Sequence, residues 1–375
     1  MKPLEGLRVV ELARILAGPW VGQTLADLGA DVIKVEAPGG DDTRQWGPPF
    51  IERDADTSAA YFYSCNRGKR SVTADFATEE GRQYVRDLVA DADVLIENFK
   101  RGGLEKYGLD YASLTKVNPK LIYCSITGFG QTGPYKDRAG YDYLIQGMSG
   151  LMSITGAKEG EPQRVGVAVT DILTGLYGVI GIQAALRQRE VTGTGQHIDM
   201  SLLDTATAFL ANQGMNYLAT GTPPGRTGNT HPNIVPYQVF EVADGHIIIA
   251  TGNNGQYQRL CDVLGLEDLK ALPEYAENKD RVANREILVP LLEAATRGWT
   301  KLDLLTALED VKVPAGPIND LAEVFADPQI VARGVGIKPQ GVPGIRSPWK
   351  FSDIELSLER TAPKLGEHNG QGWKK

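Results

Sequence analysis

The chain has 375 residues, of which 42% are hydrophobic and 23% are charged, and its formal net charge at pH 7 is −8. These proportions are typical of soluble globular proteins, and a chain of this length can bury a sizeable core without disulfides or metal ions. The negative charge argues against a general affinity for nucleic acid or anionic membranes, but it does not exclude a polyanionic small ligand at a local basic cluster.

The three cysteines, Cys65, Cys124 and Cys261, are too few and too widely spaced to predict a disulfide framework or a zinc site. We expect reduced thiols, as in a reducing compartment. The N-terminus lacks the apolar segment of a signal peptide, and the longest strongly apolar uncharged run, residues 172–186, is shorter than the ~20 residues of a membrane span. We therefore expect a cytoplasmic protein without a membrane or nucleic-acid partner.

Short apolar strands alternate with helices through the first third of the chain. Gly18-Pro19 opens a helix, since proline is favoured in the first helical turn, and Gly29 ends it. The predicted strands cover about residues 7–12, 31–36, 71–74, 93–97 and 120–126, and the predicted helices about 18–28 and 78–90. This alternation predicts an α/β fold with a doubly wound, Rossmann-like parallel sheet, which binds ligands beyond the carboxyl ends of its strands.

The most apolar predicted helix covers about Ile172–Gln188. Its own apolar residues occupy almost every face of the helix, so we expect it to be buried. Gly175, Gly178 and Gly181 recur every three residues along it, and small residues at this spacing allow a second backbone to approach closely. A strand at 196–200 and one long helix at about 202–219 are predicted to follow.

A smaller α+β lobe is predicted after a polar, Pro- and Gly-rich connection that begins at about Gly221. It opens with a hairpin of two strands near residues 237–241 and 246–251 and continues with several helices. We predict a large domain over 1–220, a small domain over 221–328, and a C-terminal segment over 329–375 that returns to the large domain.

Basic residues cluster in the loops next to the predicted strands. They are Arg67, Lys69 and Arg70, then Lys100, Arg101 and Lys106, and finally Lys136 and Arg138. Lys and Arg side chains beside glycine-rich backbone are suited to phosphate oxygens. The charge pattern alone favours the simpler interpretation, a solvated rim that balances nearby acids.

Two features bear on a nicotinamide cofactor. Gly128–Gly133 has the spelling G-x-G-x-x-G, but the residues after it lack the apolar period of a helix, so we interpret it as a Gly/Pro loop. Glu36 ends the second predicted strand, where an acid binds ribose in dinucleotide enzymes, yet the first turn lacks the glycine pattern. A nicotinamide is therefore disfavoured. The four histidines are too scattered to share one metal ion, so no metal is expected.

Asp171 lies at the start of the most apolar predicted helix. Backbone N–H groups and the positive end of the helix dipole favour the ionised form of a carboxylate in this position. An ordinary helix N-cap, worth about 1 kcal/mol, is the interpretation that the local sequence favours. The apolar surroundings favour the alternative, a carboxylate nucleophile in a dry site.

Taken together, these segments resemble the class III (CaiB/BaiF-type) coenzyme A transferases, the family of formyl-CoA transferase, carnitine CoA-transferase and bile-acid CoA-transferases. The likeness runs from Pro3 to His368. Its most specific segments are Ala17-Gly18-Pro19, residues 28–36, Asn66 with residues 69–71, Glu97-Asn98-Phe99, residues 128–134, Asp171, residues 192–196 and residues 231–237.

The resemblance implies that acyl-CoA is the substrate and that Asp171 is the nucleophile, with neither a metal nor a nicotinamide. Asp171 is implied to form an anhydride with the acyl group and then an aspartyl–CoA thioester. The resemblance also implies an interlocked homodimer, in which each chain forms a ring threaded by its partner. Coenzyme A is implied to bind the doubly wound lobe through the matching positions Leu16, Ala17, Lys69, Arg70, Asn98, Phe99, Lys106 and Arg138.

Two departures from the family narrow the reaction. The family's racemases carry a histidine in a Gly-His-Asp segment, which is Gly140-Tyr141-Asp142 here. The run of glycines that covers the intermediate in formyl-CoA transferase is missing from residues 221–236, so we do not expect formate or oxalate as partners. The chain looks most similar to the branch that transfers CoA from succinyl-CoA to dicarboxylates. An acyl-CoA racemase remains the alternative within the fold, and a nicotinamide oxidoreductase or a non-catalytic CoA-binding protein are alternatives of other classes.

Overall fold

The computed structural model describes residues 2–374. The chain forms two compact units. The first contains the chain up to Met152, Arg164–Thr222 and the chain from Pro328 onward, and the second contains Ser153–Gln163 and Pro223–Asp327. The predicted domain boundaries differ from this division at Ser153–Gln163 and by one or two residues at either end of the small domain.

The first unit is built around a parallel sheet of six strands. In chain order, the strands of this unit up to Thr222 are β1 (Arg8–Glu11), β2 (Asp31–Glu36), β3 (Phe50–Arg53), β4 (Asp56–Ala59), β5 (Arg70–Thr73), β6 (Val94–Glu97), β7 (Ile122–Thr127) and β8 (Gln196–Ser201). The large sheet has the order β5-β2-β1-β6-β7-β8, while β3 and β4 form a separate hairpin. All five neighbouring pairs of the large sheet are parallel.

Helices cover both faces of this sheet. They are α1 (Ala17–Asp27), α2 (Ala60–Cys65), α3 (Glu79–Ala90), α4 (Tyr111–Leu114), α5 (Asp142–Met148), α6 (Val169–Thr192), α7 (Leu202–Ala208) and α8 (Ala211–Thr220). Side chains alternate between the two faces of a strand, so Val9 packs in the core beneath α1 and α6, and Val10 packs in the core beneath α3. This arrangement confirms the predicted doubly wound sheet.

The apolar helix α6 is buried on one side only. Gly178 and Ile182 face the core, whereas Tyr177 is 48%, Ile180 is 62% and Val191 is 80% exposed. The expectation that this helix is buried all round is therefore wrong. In the described part of the chain, α6 alone is long and apolar enough to cross a membrane by length and composition, with 39% of its apolar window buried in the protein.

The single long helix predicted after β8 is interrupted. Helix α7 ends at Ala208 and α8 begins at Ala211, whose φ of 44° lies in the left-handed region. A residue with this φ cannot continue a right-handed helix. The prediction of one helix is wrong because the apolar pattern continues across a break that only the backbone angles reveal.

The second unit combines a small antiparallel sheet with helices. Its strands are β9 (Tyr237–Val242), β10 (Gly245–Ala250) and β11 (Ala315–Pro317), and its helices are α9 (Asn254–Leu264), α10 (Glu267–Ala271), α11 (Pro273–Ala276), α12 (Asn278–Ala283), α13 (Arg285–Thr296), α14 (Lys301–Asp310) and α15 (Leu321–Ala326). The sheet order is β11-β10-β9. The predicted hairpin and the α+β character of this lobe are confirmed, with Phe240, Ile247 and Leu288 in its core.

The C-terminal part of the chain packs in the first unit. It contains α16 (Pro328–Ala332) and the two short strands β12 (Gly336–Ile337) and β13 (Gly344–Ile345). Further along, His368 donates its main-chain N–H to the Ser71 carbonyl at 2.9 Å, and Trp373 donates its indole N–H to the Leu88 carbonyl at 3.1 Å. The segment that contains His368 and Trp373 is thereby fixed beside β5 and α3.

Candidate active site

A cleft of about 440 Å³ lies at the carboxyl edge of the large sheet. Its walls come from the loops after β1, β6 and β7 and from the start of α6. The residues that line it include Arg14–Ala17, Asn98–Arg101, Lys106, Thr127, Gly128, Lys136–Tyr141 and Asp171. Because the carboxyl ends of parallel strands meet at one edge, residues far apart in sequence converge here, as expected for a doubly wound sheet.

Asp171 borders this cleft as the third residue of α6. The N-cap position of α6 is Ala168, and no side chain caps the helix from that position. The interpretation of Asp171 as an ordinary N-cap is therefore wrong. Its side chain is partly exposed and faces a cavity large enough for a small ligand.

The start of α6 is stabilised by Asp142, the first residue of α5. One carboxylate oxygen of Asp142 accepts hydrogen bonds from the Thr170 N–H at 2.8 Å and from the Thr170 hydroxyl at 2.7 Å. The other oxygen accepts from the Gln146 amide at 2.8 Å. Asp142 is buried, so it is held in one orientation and supplies the cap that α6 lacks locally.

The two carboxylates influence each other electrostatically. Burial, and after it the negative charge of Asp142, raise the pKa of Asp171 to about 7. The expectation that the helix N-terminus favours the ionised form of Asp171 is wrong for the net effect, because burial and the neighbouring carboxylate act in the opposite direction. Asp171 is thus poised to titrate near neutral pH, where a functional carboxylate is most useful.

Helices α1 and α6 run side by side from their first turns. A Cβ added at Gly175 would lie 2.9 Å from the Ala17 carbonyl oxygen, and one at Gly178 would lie 3.2 Å from the Val21 side chain. These contacts confirm the close approach predicted from the glycine spacing. Asp171 is one turn before Gly175, on the same face of α6, so the start of α1 lies next to Asp171.

Several cations line the cleft together with Asp171. They are Arg14, Lys100, Arg101, Lys106, Lys136 and Arg138. Arg138 lies over the Tyr135 ring at 4.5 Å and the Phe129 ring at 5.3 Å, and Lys106 lies over the Tyr107 ring at 4.7 Å. Lys106 and Arg138 are exposed, so their charges are available to an anionic ligand.

Four of the residues matched to the family's CoA positions are uncharged and line the same cleft. Leu16 and Ala17 contribute the start of α1, and Phe99 borders both this cleft and a neighbouring cavity. Asn98 also lines the cleft, but its side-chain amide binds the protein itself: it accepts from the Arg14 N–H at 2.8 Å and donates to the Arg14 carbonyl at 2.6 Å.

Lys69 and Arg70 lie outside the cleft. The Lys69 ammonium is fully buried and bonded to Glu11, Asn66 and the Pro19 carbonyl, all within 2.9 Å. Arg70 begins β5, at the amino edge of the sheet, and pairs with Asp31 at 2.6 Å. Neither residue lines the cleft and each cation is paired with a carboxylate of the protein, so this placement does not support the predicted role of either in phosphate binding.

A second cavity, of about 250 Å³, adjoins the loop at Phe99. It lies beyond the carboxyl ends of β1, β2 and β5, and its walls include Phe76, Phe99 and Tyr107. The Phe76 ring lies 6.3 Å from Phe99 and 5.9 Å from Tyr107. Sequence reasoning missed this cavity. Phe76 follows a predicted strand, and ligands bind beyond the carboxyl ends of such strands, so this position could have been recognised.

Tyr61, on α2, is another neighbour of Asp171 that the sequence did not indicate. Burial, and then the charge of Asp171, raise the pKa of the Tyr61 phenol to about 12, so it remains a neutral hydroxyl. Its ring packs against Trp46 at 5.3 Å. No local pattern could have identified it, because Tyr61 and Asp171 are brought together only by the fold.

The structure also bears on Glu36 and on metal binding. Both Glu36 oxygens accept from Arg44, at 2.7 and 2.8 Å, and one of them also accepts from the Ser71 hydroxyl at 2.6 Å. Glu36 is buried in this network and borders the second cavity. Within residues 2–374, no group of three or more His, Cys, Asp or Glu side chains is arranged to hold a metal ion.

The chain belongs to CoA-transferase family III, whose profile matches residues 4–369. It is 59% identical over 377 residues to the succinate–glutarate CoA-transferase of Agrobacterium fabrum, which covers 98% of this chain and 94% of that protein. It is 43% identical over 376 residues to the succinyl-CoA:glutarate CoA-transferase of Mus musculus, covering 98% of this chain and 85% of that protein.

Solved structures agree with this assignment. A crystal structure of a CaiB/BaiF family protein from Brucella suis is 64% identical in sequence and has a TM-score of 0.89, covering 98% of this chain and 97% of that one. The family and the enzyme class predicted from the sequence, a CoA-transferase, are confirmed.

Proposed function

We propose that this enzyme transfers coenzyme A from a dicarboxylyl-CoA, such as succinyl-CoA, to a dicarboxylic acid such as glutarate, with Asp171 as the nucleophile. The names of its relatives support the substrate class. The observation that carries the proposal is the place of Asp171. This carboxylate does not cap its helix, has a pKa of about 7 and borders a cleft that is also lined by exposed cations. The carboxylate needs no metal to accept an acyl group.

The proposed reaction exchanges thioester bonds through Asp171. Its carboxylate attacks the thioester carbonyl, the C–S bond breaks, and coenzyme A leaves as a thiolate while a mixed anhydride forms. The thiolate then attacks the Asp171 carbonyl, which releases the donor acid and leaves an aspartyl–CoA thioester. The acceptor carboxylate attacks this thioester to form a second anhydride, and the thiolate takes the new acyl group and regenerates the Asp171 carboxylate.

The two cavities suggest how the cofactor part of the substrate lies. We propose that Lys106 and Arg138 bind phosphate oxygens of coenzyme A, because both cations are exposed in the cleft that contains Asp171. We assign the neighbouring cavity to the adenine, since Phe76, Phe99 and Tyr107 offer aromatic surfaces for a purine ring. Leu16 and Ala17, at the start of α1, are then next to the pantetheine end.

We also propose a homodimer in the cytoplasm. Large apolar side chains stay exposed on α6 and α8, among them Ile180 at 62%, Met215 at 62% and Leu218 at 74%. An exposed apolar surface of this kind is typical of a protein–protein interface. The buried, unpaired thiols of Cys65, Cys124 and Cys261 support a reducing compartment. Light scattering after size-exclusion chromatography tests the dimer: the mass of one chain would contradict it.

Replacement of Asp171 tests the central claim. Asp171→Ala should abolish CoA transfer from succinyl-CoA to glutarate and leave the binding of free coenzyme A, measured by calorimetry, within about threefold of wild type. Peptide mass analysis of the wild type with succinyl-CoA should find coenzyme A attached to Asp171. Turnover in the Asp171→Ala variant, or a label on another residue, would contradict the nucleophile assignment. A screen of CoA esters against dicarboxylates and oxalate identifies the substrates.

A further inference from the structure

The turn from β1 into α1, here called the β1–α1 turn (Ala13–Leu16), contains a strained residue. Ile15 has a φ of 72°, in the left-handed region. A β-branched residue in this region is a genuine outlier and persists only where the surroundings hold it. Glycine would adopt this φ without strain, so the presence of isoleucine means that other contacts hold the turn.

One side chain is hydrogen-bonded to both main-chain polar groups of Arg14. The Asn98 amide accepts from the Arg14 N–H at 2.8 Å and donates to the Arg14 carbonyl at 2.6 Å. Two bonds from one amide to both main-chain groups of a residue fix the orientation of the peptide units on either side of it. Asn98 follows β6, so the turn is tied to the neighbouring strand of the sheet.

Three further side chains bind the ends of the strained segment. Asp41 accepts from the Ile15 N–H at 3.3 Å, and the Cys65 thiol donates to the Ile15 carbonyl at 3.5 Å. The Lys34 ammonium donates to the Ala13 carbonyl at 2.8 Å. All five main-chain polar groups from the Ala13 carbonyl to the Ile15 carbonyl are therefore bonded to side chains, which come from four separate parts of the sequence.

Behind these contacts is a buried ion network. Lys34 pairs with Asp41 at 2.9 Å and with Glu11 at 3.1 Å, and Lys69 pairs with Glu11 at 2.8 Å. All four side chains are at most 2% exposed. Although burial opposes ionisation, the attraction of Lys34 and hydrogen bonds from Thr43 lower the pKa of Asp41 to about 2. Asp41 is thus a charged, fixed acceptor for the Ile15 N–H.

The turn so held lies in the active-site cleft. Arg14, Ile15 and Leu16 line the cavity that Asp171 borders, and α1 begins beside the first turn of α6. Strained backbone concentrates at functional sites, where the surrounding structure maintains it. A turn that only connected two elements would not need this side-chain network, because a glycine at position 15 would adopt the same φ without it.

We propose that Asp41 is a positioning residue, which with Lys34, Cys65 and Asn98 holds Ile15 in the left-handed conformation so that the main chain of the β1–α1 turn faces the reacting carbonyl at Asp171. This inference rests on the proposed function and adds to it a role for residues that act through the turn; Lys34 and Asp41 also border the cavity assigned to the adenine, and Asn98 lines the cleft. Loss of the network should let Ile15 relax to a negative φ and move the start of α1 away from Asp171.

A double substitution distinguishes positioning from a purely structural role. Asp41→Ala should lower kcat for succinyl-CoA and glutarate by at least about tenfold, a larger effect than on the KM for succinyl-CoA, since the cations proposed to bind phosphate are unchanged and Asp41 only borders the cavity assigned to the adenine. Adding Ile15→Gly should restore most of kcat, because glycine keeps the positive φ without the Asp41 bond. The proposal would be overturned by an unchanged kcat in Asp41→Ala. It would also be overturned if the double variant lost kcat by the product of the losses in Asp41→Ala and Ile15→Gly.

Further variants cover a failure of Asp41→Ala to fold. Asp41→Asn keeps an oxygen for the Ile15 N–H, so its kcat should stay within about threefold of wild type even where its melting temperature falls. A folded Asp41→Asn enzyme with a tenfold loss of kcat would contradict the positioning role. Cys65→Ala removes the thiol bond to Ile15 and should lower kcat, whereas Cys124→Ala, which removes an equally buried thiol away from the turn, should not.

Two readouts separate this inference from the proposed function. Hydrogen exchange of a peptide that spans residues 12–20 reports the order of the turn without any activity, and it should be faster in Asp41→Ala than in wild type. Asp171→Ala should abolish transfer but leave this exchange rate unchanged. If Asp171→Ala retains transfer, the nucleophile assignment fails, while the exchange data still decide whether Asp41 holds the turn.

Discussion

Asp142 accepts two hydrogen bonds from Thr170, one from the main-chain N–H at 2.8 Å and one from the hydroxyl at 2.7 Å. Thr170 directly precedes Asp171 at the start of α6. The cap of this helix is thus supplied from α5, and Asp171 is left to face the cleft. The same Asp142 charge adds to burial in raising the pKa of Asp171 to about 7. One residue therefore both holds the helix start that carries Asp171 and adds to the rise in the pKa of Asp171.

Asp142→Asn should separate these two effects. The amide oxygen can still accept from Thr170, so the helix start keeps its cap, but the negative charge beside Asp171 is lost. We expect the apparent pKa that governs kcat/KM to fall below about 7 but to stay well above the ordinary value of 3.8, because burial is the larger cause of the raised pKa. The measurement is a pH–rate profile of both enzymes. An unshifted profile with an active enzyme would show that Asp142 does not influence Asp171.

Asp142→Ala is the matched control for the capping role. It leaves the Thr170 N–H, the Thr170 hydroxyl and the Gln146 amide without their acceptor. A buried donor without a partner costs about 1–3 kcal/mol, so the free energy of unfolding in urea should fall by at least this amount. Asp142→Asn should lose less. Equal stability of the Ala variant and the wild type would contradict the capping role.

The wild-type enzyme should gain activity as the pH rises through neutrality. Asp171 attacks only as a carboxylate, and its pKa in the folded protein is about 7. The profile of kcat/KM reports ionisations of the free enzyme, so it should rise between about pH 6 and pH 8 and then level off. Rates of CoA transfer at saturating glutarate test this. A profile that is flat from pH 5 to pH 8 would contradict a protonated Asp171 at low pH.

Asp171 should also make the fold less stable at high pH. An unfolded Asp titrates near 3.8 and the folded Asp171 near 7. Between these values the folded protein holds a proton that the unfolded chain has released, so stability falls as the pH rises across this window. At pH 8, Asp171→Asn should increase the free energy of unfolding by up to about 4 kcal/mol, from about 1.4 kcal/mol per pKa unit. The gain should disappear towards pH 4, and a gain that persists there would contradict this cause.

The sequence predicted the sheet and the place of Asp171 at the start of the apolar helix, but not the placement of two cations. The alternation of strands and helices is a local pattern, and it was sufficient to predict the doubly wound fold and the edge at which the cleft lies. Lys69 and Arg70 were grouped with residues that follow strands, although they precede one. Their partners, Glu11 and Asp31, are distant in sequence, so only the folded chain shows that both cations are already neutralised.

The protonation of Asp171 could not be predicted for a similar reason. A local rule, that a helix N-terminus favours a carboxylate, gave the wrong net direction. The two larger effects, burial and the Asp142 charge, depend on how α5 packs against α6. The glycine spacing of α6 did predict its close contact with α1, whereas the helix dipole did not predict the protonation of Asp171. A missing side chain on a buried helical face has one direct consequence, which is that a neighbour can approach closely.

The cations of the cleft should contribute mainly to binding of the nucleotide part of the substrate. Lys106→Ala and Arg138→Ala should each raise the KM for succinyl-CoA by about five- to twentyfold, because each loses a charge-assisted contact to phosphate. Neither should change the rate with a pantetheine thioester, which has no phosphates. Lys116→Ala removes an exposed lysine outside the cleft and is the control. Equal effects on both substrates would show that these residues act on the fold rather than on phosphate.

The glycines of α6 allow a paired test of how α1 and Asp171 are brought together. A Cβ at Gly175 would lie 2.9 Å from the Ala17 carbonyl oxygen, whereas one at Gly181 would lie 3.5 Å from the Ile198 side chain, an ordinary contact. Gly175→Ala should destabilise the protein by about 1–3 kcal/mol and lower kcat, since the start of α1 must move away from the first turn of α6. Gly181→Ala should be neutral or stabilise by up to about 1 kcal/mol through helix propensity. Urea unfolding and steady-state kinetics of both variants check this, and a Gly175→Ala enzyme as stable and as active as Gly181→Ala would show that the contact between the two helices does not set the geometry at Asp171.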